Sequence, residues 1–212
     1  MEIDPSQYKD LISRIVTPRP VLLITTVNKD GLVNMAPFSA VTFAGYDPPS
    51  VVVSIGKQKH DKRFLTEDLG AKYDLEEKKD TLANIEYSGE FVAHLATEDL
   101  LDAVIIGDRR YPKEVSELQR AGLTPVPGKI VKPPRIKEAK VAVECQLLNQ
   151  FNVRADHVLV VGKGVAFYAS EEALVNGRLD TSKIKPVLHY FSDLFAVCDR
   201  QIVKKRDRYK LD

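Results

Sequence analysis

The chain has 212 residues, 44% apolar and 29% charged, an ordinary composition for a globular domain. Its formal net charge of +1 offers no field to gather a nucleic acid or an anionic membrane surface, and no apolar run reaches the ~20 residues that cross a bilayer. The N-terminal "MEIDPSQYKDLISRI" lacks the apolar core of a secretory signal, and Cys145 and Cys198 form no CxxC pair, so a cytoplasmic protein without a disulfide framework is expected.

Residues 5–16 have amphipathic spacing and are predicted helical, closed by "TPRP". "VLLITTV" (21–27) is a strand and "NKDG" (28–31) a turn. A second strand runs from Leu32 until "DPPS" stops it, and "SVVVSIG" (50–56) is the third strand of an antiparallel, deeply buried start. Residues 57–79, "KQKHDKRFLTEDLGAKYDLEEKK", read as an exposed charged insertion. Mixed signs and sparse aromatics argue against a nucleic-acid patch there.

A helix follows at 80–89, capped by Asp80 or Thr81, with Leu82, Ile85 and Tyr87 on its apolar face and Gly89 as its stop. Next come a strand at 90–97, helices at 98–107 and 112–122, and a Pro-rich surface connector at 123–139. Strands at 140–151 and 156–170 complete the body. "KPVLHYFSDLFAV" reads as a short helix and 203–212 as a charged tail. No repeat or linker divides the chain, so residues 1–212 form one domain. Hairpin connections rather than βαβ units imply a mainly β fold, an antiparallel barrel with attached helices.

Several chemistries are set aside. "GKG" (162–164) lies inside a strand and marks a bulge rather than a dinucleotide fingerprint. No HExxH, phosphate loop or nucleophile elbow occurs. The histidines at 60, 94, 157 and 189 lack ligand spacing, so no metal site is expected. What remains is polar residues at strand ends. In "NMAPFS" a proline removes a ladder hydrogen bond while Asn34 and Ser39 compete for backbone partners. That suits either an awkward edge strand or a backbone shaped around a flat, polar ligand. Ser54 ends the third strand, and Lys79, Asp80, Thr81 and Asn84 open a helix whose N-terminus suits a phosphate. Helix capping by Asp80 is the simpler reading of those residues alone. His157 opens a strand and His189 sits beside two aromatics; a lone histidine is more often structural than catalytic.

Taken together, "TPRPVLLITTVNKDGLVNMAPFSAVTFAGYDPPSVVVSIG", "KKDTLANIEYSGEFVAHL", "AGLTPVPGKIVKPPRIKEAKVAVECQLL" and "DHVLVVGKGVAF", in this order, resemble the flavin reductase-like family of FMN-binding split β-barrels. Flavoredoxins and reductase components of two-component monooxygenases belong to it. The likeness spans most of residues 8–190, with a Lys57–Lys78 segment longer than the family's usual connection.

The resemblance implies an antiparallel split β-barrel and a homodimer with FMN near the subunit interface. It implies an NAD(P)H-dependent flavin reductase that passes hydride from NADH or NADPH to FMN, with an oxygenase or other electron acceptor as partner. The alternatives are an FMN-carrying electron-transfer protein reduced by a protein partner, and a flavin-binding module without turnover. Backbone groups of Met35, Ala36, Pro37, Phe38 and Ser39 would follow the isoalloxazine ring, with Asn34 facing the ring or ribityl chain. Ser39, Ser54, Lys79 and Thr81 would meet the phosphate or nearby oxygens, with Ile55, Gly56 and Asn84 in the same site. His157 would lie beside the flavin as the catalytic residue and His189 would close the pocket. Arg19 in "PRP" matches the family pattern.

Overall fold

The computed structural model describes residues 4–5, 8–58, 77–153, 156–198, 200 and 202; most of the charged insertion, with His60, and the tail from 203 lie outside these. The chain opens with helix α1 (Tyr8–Ile15), strand β1 (Arg19–Pro20), and strands β2 (Leu22–Val27), β3 (Val33–Phe38), β4 (Val41–Tyr46) and β5 (Pro49–Gly56). Helix α2 (Asp80–Ser88) leads through Gly89, at φ 69, into β6 (Glu90–Leu95). Helices α3 (Leu101–Gly107) and α4 (Glu117–Arg120) and the short strands β7 (Pro125–Val126) and β8 (Arg135–Ile136) follow. The long strands β9 (Val141–Val153) and β10 (His157–Ala169) come next. Then come β11 (Leu174–Val175), β12 (Arg178–Leu179), α5 (Thr181–Ile184), β13 (Val187–Phe191) and β14 (Leu194–Val197). No helix among the described residues is long and apolar enough to cross a membrane.

One seven-stranded antiparallel sheet has the order β3–β2–β6–β9–β10–β5–β4. Its two edge strands are consecutive in sequence, separated only by Ser39 and Ala40. The chain thus passes from one edge of the sheet to the other in two residues, which requires the sheet to curl. The Ser54 amide donates to the Ala40 carbonyl at 2.8 Å and pins that crossing. This is the expected split barrel. Strand alternation feeds two cores: Ile24 joins Val53, Ile55, Phe91, Val158 and Val160 inside the barrel, plugged by Leu82 and Ile85 of α2. Leu23 and Met35 point the other way, beneath Val104, Leu118, Ile136 and Val187.

Buried polar groups tie the connector to the barrel. His94 Nδ1 donates to the Leu23 carbonyl at 2.9 Å, and its Nε2 accepts from the Ile136 amide at 2.9 Å. Burial pushes the His94 pKa down to about 4. Glu144, fully buried, accepts from the amides of Lys129, Ile130 and Val131 at 2.7, 2.7 and 3.1 Å and from the Tyr168 hydroxyl at 2.6 Å. Burial alone would raise its pKa, but these donors outweigh that and hold it below the ordinary carboxylate range. The bulge expected at "GKG" is present: β10 slips register against β9 between Val161 and Gly162 and again between Gly164 and Ala166.

Five expectations change. The predicted strand from Leu32 to "DPPS" breaks into β3 and β4, which lie at opposite edges of the sheet, and β4 is largely exposed rather than deeply buried. Pro37 does not stop the ladder, since it pairs with Leu23 and pairing runs on to Phe38. Its N-side faces away from β2, where an edge strand needs no donor and Gly107 packs close. Lys79, not Asp80 or Thr81, is the N-cap of α2. The Lys79 amide is held by the Lys57 carbonyl at 3.0 Å, so the helix cannot start earlier; Tyr87 is 69% exposed. The helix at 112–122 shrinks to four residues because Ser116 is extended and Gly122, at φ 66, ends the turn. "KPVLHYFSDLFAV" is a hairpin, β13 and β14, which with β1 forms a separate three-stranded sheet.

Candidate functional site

Three segments converge at the start of α2. Gly56 ends β5 opposite His157, the first residue of β10. A side chain at 56 would meet Lys79 Cε at 3.8 Å and His157 Nε2 at 3.9 Å, so the glycine leaves space between a lysine and an imidazole. His157 Nδ1 lies 3.3 Å from Asp156 Oδ2, with the side chain 42% exposed. The N-terminus of α2 receives no side-chain cap, and Lys79 stands at its N-cap. A lysine thus stands at a helix start whose amides lack a side-chain cap, a combination that attracts an anion, with Asp80 in the same turn opposing it.

Two amide–hydroxyl pairs fix α2 on the sheet. Asn34 Nδ2 donates to Thr81 Oγ1 at 3.0 Å, and Asn84 Nδ2 donates to Thr26 Oγ1 at 2.9 Å. Thr81, Asn84 and Thr26 are all buried, so these polar side chains dock the helix on β2 and β3.

Beside this lies a cleft of about 260 Å³ between the end of β3, α3 and the β13–β14 turn. Val21, Phe38, Val104, Ile105 and Phe195 supply its apolar wall. Ser39, Asp108, His189, Ser192 and Asp193 supply its polar groups. Ser39 Oγ is 2.9 Å from His189 Nδ1, and His189 Nε2 is 3.0 Å from the Ser192 carbonyl. Burial raises the Asp108 pKa, with Asp193 adding to the rise and the charges of Lys79, His189 and Arg110 opposing it.

The structure brings Pro37, Phe38, Ser39 and His189 to the cleft, and Gly56, Lys79 and His157 to the anion-attracting end of α2. Ser54 and Ala36 are half-buried. Met35 and Ile55 are fully buried in the two cores, and the Met35 amide donates to Glu117 Oε2 at 3.2 Å. Arg19 packs: its guanidinium donates to the carbonyls of Ser13 and Tyr190. Sequence reasoning missed Asp108, Asp193, Val104, Ile105 and Phe195. Asp108 follows Gly107, where a side chain's Cβ would stand only 3.3 Å from the Met35 carbonyl and the Pro37 ring, so the glycine lets α3 pack closely on β3. A glycine ending an apolar helix before a charged run was the available signal.

Residues 13–197 match the model of the flavin reductase like domain. An uncharacterised protein of Aquifex aeolicus is 31% identical over 206 residues, covering 95% of this chain and 97% of that one. The crystal structure of nitrilotriacetate monooxygenase component B from Bacillus cereus is similar at a TM-score of 0.82 and 27% identity, covering 96% of this chain and 98% of that one. The flavoredoxin of Desulfovibrio vulgaris (Miyazaki F), 20% identical with a TM-score of 0.73, covers 91% of this chain and 93% of its own and shares the fold.

Proposed function

The chain belongs to the flavin reductase-like family, and on that premise we propose that it is an NAD(P)H-dependent flavin reductase working with FMN. FMN when bound supplies the hydride-accepting ring; the protein supplies a phosphate seat, a slot for a plane and hydrogen-bonding groups. The carrying observation is the position of Lys79. It caps a nine-residue helix beside Gly56 and His157 and lies 5.8 Å from the Phe38 ring centre, at the wall of the cleft. The residues present fit the cofactor. Lys79 and the first turn of α2 would hold the phosphate, Gly56 would leave room for the ribityl chain, and Phe38 and Ser39 would border the ring. His157 would act on the reacting edge.

The family's homodimer is part of this reading. Phe43 and Tyr46 on the edge strand β4 are 58% and 88% exposed, and Phe151 near the end of β9 is 52% exposed. Such aromatics on an open edge suit a partner subunit. Sedimentation at micromolar concentration is expected to give twice the chain mass.

The test of the activity mixes protein and FMN, adds NADH or NADPH in air, and follows nicotinamide oxidation. Turnover supports the reductase. A yellow protein without turnover indicates a carrier reduced by another protein or a non-catalytic flavin module. A colourless protein that neither binds FMN nor turns over refutes all three. The favoured nicotinamide is the one with the higher kcat/KM.

A further inference from the structure

Helix α1 is turned inside out. Tyr8, Leu11, Ile12, Ile15 and Val16 recur at helical spacing and form one apolar stripe. Only Leu11, at its margin, is half-buried; Ile12 is 65% and Ile15 74% exposed. The body of the chain meets Arg14 instead. Its guanidinium lies 4.1 Å over the Phe191 ring of β13, and Arg19 donates to the Ser13 carbonyl at 3.3 Å. A surface helix ordinarily hides its stripe and shows its charges. An eight-residue helix draws its stability from such burial, so this stripe needs a cover. Phe191 and Leu194, paired across the β13–β14 turn and both partly exposed, extend it.

The barrel sheet has a matching need. Its β3 edge is finished within the chain: Pro37 has no donor, Glu117 accepts from the Met35 amide at 3.2 Å, and α3 packs there at Gly107. Its β4 edge is bare. Thr42, Phe43, Ala44 and Tyr46 are all exposed, and the Phe43 and Tyr46 rings stand 4.6 Å apart as one aromatic surface. Proteins blunt such an edge by laying a helix or loop over it. We propose that α1 of one copy covers the β4 edge of a second copy, and that a two-fold axis makes this contact twice. Stripe and edge are both uncharged and apolar, the character of an interface between permanent partners. A stripe about 12 Å long falls short of the roughly 800 Å² that each side of a stable interface gives up. A second copy supplies the contact in duplicate, with every copy giving both a helix and an edge. The net charge of +1 leaves two copies little mutual repulsion. The inference deepens the homodimer reading above and rests on it, assigning the element that crosses and the strand that receives it.

The test is sedimentation of the full chain at micromolar concentration, with Ile12→Lys and Phe43→Glu run alone and as an equimolar mixture. The unaltered chain is expected to be a dimer. Each variant alone should be monomeric, its dimer Kd raised about a hundredfold or more, because a charge enters both apolar contacts. The mixture should regain the dimer. One of its two contacts is unaltered and the other brings the introduced opposite charges together. Both positions are exposed within a single copy, so circular dichroism should show each variant folded. Should either unfold, Ile15→Ala and Tyr46→Ala, which trim the contact without charge, must each raise the dimer Kd about tenfold or more. An Ile12→Lys protein that stays dimeric, a mixture that stays monomeric, or trimmed variants with an unchanged Kd would overturn the contact and leave the homodimer standing. A monomeric unaltered chain overturns both. A chain whose variants dissociate and recombine as described but which does not bind FMN refutes the flavin reading alone.

Discussion

The Lys79 ammonium lies 5.8 Å from the centre of the Phe38 ring, so a single side chain reaches from the cap of α2 to the wall of the cleft. If Lys79 seats the phosphate of FMN, Lys79→Ala should weaken FMN far more than riboflavin. A charge-assisted hydrogen bond contributes about 1.5–3 kcal/mol, roughly ten- to a hundredfold in Kd. Fluorescence titration of both flavins reads the difference; parallel losses would remove Lys79 from the phosphate site.

Gly162 is required by Phe91. A side chain at 162 would lie within 2.8 Å of the buried ring's Cε1 and press on Cβ of Cys145. Gly162→Ala is expected to destabilise the fold by about 1–3 kcal/mol, the usual cost of overpacking. Adding Phe91→Leu should return part of that loss in urea unfolding. Additive losses in the double variant would place the strain elsewhere.

His94 should make the fold acid-sensitive. Its ordinary pKa of 6.5 falls to about 4 in the native state, because burial disfavours the cation and Ile136 needs an unprotonated Nε2. Below pH 6.5 the unfolded chain takes up a proton that the native state refuses, so stability declines as pH falls from 6.5 to about 4. The full effect is roughly 3 kcal/mol at 1.36 kcal/mol per pH unit. His94→Gln should be less stable at neutral pH and show a flatter pH profile across that window. An equally steep profile would assign the acid sensitivity to other groups.

Glu144 works in the opposite charge sense. Its carboxylate is held below the ordinary range by four donors, so the stability it contributes is present above about pH 4.5 and is lost as acid protonates it. Glu144→Gln turns an amide toward backbone N–H groups and should cost about 2–4 kcal/mol, while Tyr168→Phe removes one donor and should cost about 1–2 kcal/mol. Hydrogen exchange should localise the Glu144→Gln effect to Lys129, Ile130 and Val131. Unchanged protection there would contradict the anchoring role.

The long strands were legible because Val, Leu and Ile recur with bounded turns, as in "VLLITTV" and "HVLVVG". The crossing at Ser39–Ala40 was not, because an apolar run gives no sign that its halves pair with opposite sheet edges. "VLHYF" and "LFAV" are each too short for periodicity to separate strand from helix, which is why the hairpin carrying His189 was read as helical. Lys79 and Gly56 stood out by position, at a helix start and a strand end. Asp108 did not, since a carboxylate in "GDRR" looks like any solvated charge until α3 docks and sets it at the rim of the cleft.

The charged insertion leaves the barrel at Gln58 and returns at Lys78, and those two residues bridge in antiparallel register while the Lys79 amide holds the Lys57 carbonyl. The strand-to-helix join is thereby latched at its base, and the pairs 57–79 and 58–78 set the seat of Lys79 from the barrel side, as a clasp sets the reach of a strap.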